Sequence, residues 1–144
     1  MRTLVLFFVA GSLLAQAPPP VPDPNLKSVG TMKDLMWDII IPTSDAVFYV
    51  DSDEGQKKTD KEWEELRNKS LVLAEAANLL MAPNRAKDND QWMKDAKLLW
   101  DAGNKAFAFA KAKDLEGMKS LNADLYEACQ SCHVHYRPGY RRRQ

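Results

Sequence analysis

The run "DLEGMKSLNADLYEACQSCHVHYR", residues 114–137, carries two patterns at once. Leu115, Met118, Leu121, Leu125 and Cys132 recur at helical spacing, with Asp114 placed to cap the start and Pro138 and Gly139 placed to stop the end. Over that stripe lies a cluster: the chain has two cysteines and two histidines, and all four fall between Cys129 and His135. Cys129, Gln130, Ser131, Cys132 and His133 form the pattern for covalent haem attachment. On a helix, Cys129, Cys132 and His133 stand at i, i+3 and i+4 and project from one face. Two thiols can then form thioethers with the haem vinyl groups while the imidazole reaches the iron from the same side.

Three further amphipathic segments precede this one. In the first, Val29, Met32, Met36 and Ile39 recur at three and four residues, and Val47 and Val50 extend the stripe past Pro42. Pro42 lacks an N–H and is expected to kink or divide the helix. The second opens with a capping box, Thr59 with Glu62, continues through Trp63, Leu66, Ser70, Leu73, Ala77 and Leu80, and ends at Pro83. The third spans about residues 90–113, with Trp92, Ala96, Leu99, Gly103, Ala106 and Ala110 on one side. Four such segments, each near 30 Å long, joined by polar loops such as "DSDEGQKK" and "APNRAKDND", predict an all-α, antiparallel four-helix bundle with haem carried on the last helix.

The front of the chain says where the thiols are used. "MRTLVLFFVAGSLLAQA", residues 1–17, has a basic start, a short apolar run and small residues at Ala15 and Ala17, the signature of a cleaved secretory signal. The run is too short to span a bilayer as a helix. Residues 18–25 form a Pro-rich leader, residues 26–138 the folded domain and residues 139–144 a basic tail. Export implies a periplasmic protein with no stable membrane insertion after cleavage. In an oxidising compartment a lone pair of thiols would ordinarily close a disulfide, but a ring with two intervening residues is a poor staple. A thioredoxin-like redox site requires a strand before it, and this chain reads as helical throughout. One covalently bound haem c is the better use of the pair.

Charge says little: neither a nucleic-acid nor a general membrane partner follows from it. The chain has 20 basic and 20 acidic residues, and loss of Arg2 with the signal leaves a net charge of −1. Arg141, Arg142 and Arg143 either steer docking onto an acidic redox partner or form a solvated tail.

A haem motif at the end of the last helix of a four-helix bundle, followed by an aromatic and an arginine three and four residues past the histidine, resembles the cytochrome c′ family. The likeness covers the mature domain in architecture and residues 114–137 in specific sequence. It implies that a residue of the first helix covers the other face of the haem: an apolar side chain in gas-binding members, a methionine ligand in low-spin members. Homodimers are common in the family, so a homodimer is open here.

That implication directs attention to "TMKDLMWDII", residues 31–40. Met36 is the favoured axial ligand, near the middle of the helix, with Met32 as the alternative and core filling by both as the third reading. Relatives carry a basic residue one turn before the distal position, where this chain has Met32, so Lys33 or Lys27 would meet a haem propionate instead. Arg137 either pairs with a propionate or is a solvated helix-end guanidinium. Tyr136 is expected to pack in the core or against the haem edge, and His135 to be exposed and turned away from the iron. Trp37, Trp63, Trp92 and Trp100 are assigned no redox role.

Methionine and histidine together make a six-coordinate, low-spin iron, suited to electron transfer with redox partner proteins and to no catalysis of its own. The alternative is a five-coordinate protein binding nitric oxide or carbon monoxide, with Leu35 or Ile39 filling the distal side. A peroxidase is weaker, because no histidine is left to act as distal acid or base.

Overall fold

The computed structural model describes residues 27–52 and 58–140. The expected signal and leader, the end of the basic tail and part of the first loop lie outside these residues. All regular structure among them is helical. Helix α1, residues 32–48, runs through three stretches: Met32–Asp34, a π-helical Leu35–Ile40, and Ile41–Phe48. Then follow α2, Asp60–Met81, α3, Gln91–Ala112, α4, Leu115–Ser120, and α5, Asn122–Tyr136.

Local chemistry sets these limits. Thr31 begins α1 with a capping box: its hydroxyl accepts from the Asp34 N–H at 3.2 Å, and Asp34 Oδ2 accepts the Thr31 N–H at 2.8 Å. Val29, expected on the inward stripe, therefore precedes the helix and is fully exposed. Thr59 and Glu62 form the second box as expected. Asp114 caps α4 through the Gly117 N–H at 2.9 Å. The fourth segment is in two pieces rather than one. Ser120 donates its hydroxyl to the Gly117 carbonyl at 2.7 Å, which competes with the backbone ladder. Leu121, between the pieces, stays near helical geometry at φ −79°, ψ −9°.

Pro42 does not break α1. A proline ring clashes with the carbonyl four residues back and supplies no N–H. The response lies immediately upstream, where the Ile41 N–H bonds the Met36 carbonyl five residues back. Beyond it, the Thr43 hydroxyl reaches the Ile39 and Ile40 carbonyls at 2.6 and 3.1 Å, and the Ser44 hydroxyl reaches Ile41 at 2.9 Å.

The most extensive packing is between α2 and α3. The end of α2 meets the start of α3, where Trp92 Nε1 donates to the Leu80 carbonyl at 2.7 Å. The start of α2 meets the end of α3 through Lys113 and Asp60 at 2.8 Å. Between them the backbones approach so closely that a Cβ on Gly103 would lie 2.7 Å from the Ala74 nitrogen. Every stripe residue expected in these two helices is buried. Helix α5 joins α3 through Lys105 and Asp124 at 2.7 Å, and α1 packs on α2 while touching α4 and α5.

Candidate functional site

A cavity of about 440 Å³ lies between α1, α3 and α5, within the size range of small-molecule and cofactor pockets. Helix α5 brings Cys129, Cys132 and His133 to its wall, as the i, i+3, i+4 spacing requires. Helix α1 brings both Met32 and Met36 to the same cavity. Leu35 and Ile39, the residues that the gas-binding reading would use, are not on the wall. Leu35 is buried in the core instead.

Electrostatics at the wall separate two uses of the cysteines. Both are free thiols. Burial pushes Cys129 up to about 11. Burial also pushes Cys132 up to about 11, with the Asp95 and Cys129 charges adding to it. A redox CxxC site works by lowering a thiol pKa to expose thiolate, and these thiols are held neutral. His133 is shifted down, chiefly by burial and then by the Arg137 charge. The neutral imidazole is the form that binds iron.

Tyr136 lines the cavity and has the structural role expected of it. Its ring meets Trp92 edge-on at 4.9 Å between centroids, and its hydroxyl donates to Asp88 in the loop before α3. Burial and then the Asp88 bond push that hydroxyl up to about 12. Arg137 also reaches the cavity, but from the residue that terminates α5: its N–H caps the His133 carbonyl at 3.0 Å. Its guanidinium lies 5.8 Å from the Tyr140 ring centroid. Lys33 lines the cavity and Lys27 does not. Trp92 is on the wall and 3% exposed, whereas Trp37 lines it while 62% exposed. Trp63 and Trp100 are elsewhere.

His135 is exposed and off the cavity wall, as expected, but it is not without a partner. Its side chain is 43% exposed, yet Nδ1 lies 3.0 Å from Asp95 Oδ2. Asp95, which sequence reasoning passed over, is 1% exposed and lines the cavity. Its Oδ1 accepts from Ser131 Oγ at 2.6 Å and from Gln91 Nε2 at 2.9 Å. A signal for it was present: Asp95 falls in phase with Trp92 and Leu99, a lone carboxylate on an apolar stripe. Lys87, in the loop before α3, also reaches the wall, and nothing in the sequence marked it. Tyr140, assigned to the tail, instead meets the His133 ring edge-on at 5.3 Å and accepts a bond from the Gln130 amide.

The arrangement can hold a planar, largely apolar group between a thiol–imidazole face on α5 and a thioether on α1. Cationic side chains of Lys33, Lys87 and Arg137 are available to carboxylates on that group. Among the described residues, no three His, Cys, Asp or Glu side chains are grouped to hold a bare metal ion, and no helix is long and apolar enough to cross a membrane. Comparison with protein-family models, curated proteins and solved structures returned no match.

Proposed function

We propose that this protein is an exported, periplasmic monohaem c-type cytochrome of the cytochrome c′ type, an antiparallel four-helix bundle that transfers electrons between redox partner proteins. One observation carries the reading: the residues of the attachment motif and two methionines of a distant helix border a single cofactor-sized cavity. Haem supplies an iron that changes oxidation state by one electron.

The residues divide the work. Cys129 and Cys132 would hold the haem, each by adding its S–H across a vinyl group so that sulfur and hydrogen end on the two vinyl carbons. His133, its protonation disfavoured by burial and then by the Arg137 charge, would supply a ring nitrogen to the iron. Met36 would supply a soft, neutral thioether from across the cavity, a ligand that favours the ferrous state relative to a second imidazole. Met32 borders the same cavity. Trp92 and Tyr136 keep water from the wall, and their contact at 4.9 Å fixes both rings. Lys33, Lys87 and Arg137, which line the cavity, would pair with the propionates. An iron held by both His133 and Met36 would need to lose no ligand in either oxidation state, which suits a carrier without catalysis of its own.

The test is the visible spectrum of the exported protein, ferric and ferrous, with and without carbon monoxide. A low-spin spectrum with a methionine-to-iron band and no response to carbon monoxide is expected. A high-spin spectrum that shifts on carbon monoxide would replace the carrier with a five-coordinate gas binder. A protein lacking covalent haem would overturn both.

A further inference from the structure

Asp95 is nearly sealed from solvent, yet it belongs to no ion pair with lysine or arginine among the described residues. Burying a carboxylate is expensive unless it is well hydrogen-bonded. Here the donors come from two helices: Gln91 from the first turn of α3, and Ser131 from between the two cysteines of α5, with His135 Nδ1 at the other oxygen. The carboxylate therefore does two things. It ties α3 to the turn of α5 that presents both thiols, and it sets a negative charge on the cavity wall next to Cys132. Buried apolar residues such as Ala96 and Leu99 share the cavity wall with it, and a low-dielectric wall strengthens electrostatic interactions.

We propose that Asp95 is a positioning and tuning residue for the haem site: bonded to Ser131, it fixes the attachment turn, and its buried charge stabilises the more positive ferric iron and lowers the reduction potential. The inference rests on the haem reading above. Met36 and Asp95 then act in opposite senses, the thioether favouring ferrous iron and the carboxylate favouring ferric. A purely structural carboxylate would affect stability without moving the potential.

The experiment uses the full chain, exported and matured with haem, as wild type, Asp95→Asn and Ser131→Ala, with covalent haem quantified before midpoint potentials are measured at pH 8. Asp95→Asn keeps the shape and loses the charge. It should shift the ferric/ferrous equilibrium toward ferrous by about tenfold, equivalent to about 59 mV for one electron. Ser131→Ala keeps the charge but removes a donor that disperses it, and should shift the equilibrium about twofold the other way. An unchanged potential in a haem-bearing Asp95→Asn protein overturns the proposal. If Asp95→Asn accumulates no haem-bearing protein, Ser131→Ala decides: a downward shift supports the tuning role, and no shift or an upward one overturns it. Wild-type protein without covalent haem overturns the haem reading itself, and this inference with it.

Discussion

The α2–α3 pair and the α1–α5 side of the molecule use similar helices to opposite ends. Between α2 and α3, small residues bring two backbones together: Gly103 rests on Ala74, and Ala77, Ala102 and Ala106 are all buried. Between α1 and α5 the facing residues are long or reactive, and they border space instead of filling it. Close packing supplies rigidity on one side. On the other, two shorter helices shape a pocket, and its stability depends on what the pocket holds.

The contrast yields five predictions, beginning with the largest effect. Replacing both cysteines, Cys129→Ser with Cys132→Ser, should abolish covalent haem on denaturing gels. It should also lower unfolding free energy in denaturant titrations by on the order of 5 kcal/mol, the combined loss of a cross-link and a cavity filler. Met36→Ala should convert the low-spin spectrum to one that responds to carbon monoxide and cost about 2 kcal/mol, while Met32→Ala keeps the low-spin spectrum. The reverse assignment would follow if Met32→Ala alone opened the iron.

The third prediction concerns pH. Both thiols are raised from 9.0 to about 11. For such groups the folded state holds protons that the unfolded chain releases, so the stability they contribute is present below pH 9 and lost as pH rises toward 11. Haem-free protein should therefore lose on the order of 4 kcal/mol across that window, the two thiols together after a discount for their partial exposure, followed by circular dichroism melts. Haem-bearing protein, its thiols converted to thioethers, should not. Equal loss in both forms would remove the thiols as the cause.

On the packed side, Gly103→Ala should cost about 1–2 kcal/mol, because a Cβ there meets Ala74 backbone while the helix gains propensity. A neutral or stabilising result would mean that α2 and α3 can separate more readily than their contact suggests. Smallest is Thr59→Ala, which removes a cap from α2 and should cost about 1 kcal/mol by thermal melt without changing the spectrum.

How far the sequence could be read differs between these regions for physical reasons. In α2 and α3 the apolar period, the Thr59–Glu62 box and Pro83 all agree, and the observed helices follow them closely. The attachment motif was legible because three residues at fixed spacing must share a helix face. Contacts across helices were not. Asp95 meets Ser131 and His135 over 36 and 40 residues of separation, and periodicity carries no information about which side chain lies opposite. Pro42 announced a disturbance in α1 but not its form, since a kink, a break and a widened turn all relieve the same clash.

That widened turn has a geometric consequence. In a regular α-helix, residues four apart drift by about 40° around the axis, so over three such steps Met32, Met36, Ile40 and Ser44 would fan across about a third of the circumference. Bonds that reach back five residues, as from Ile41 to Met36, enlarge the turn and reduce the drift. All four residues line one cavity. Pro42 thus acts as an angular vernier: by denying the helix its tighter pitch, it keeps a row of side chains, both methionines among them, aligned along the cavity wall.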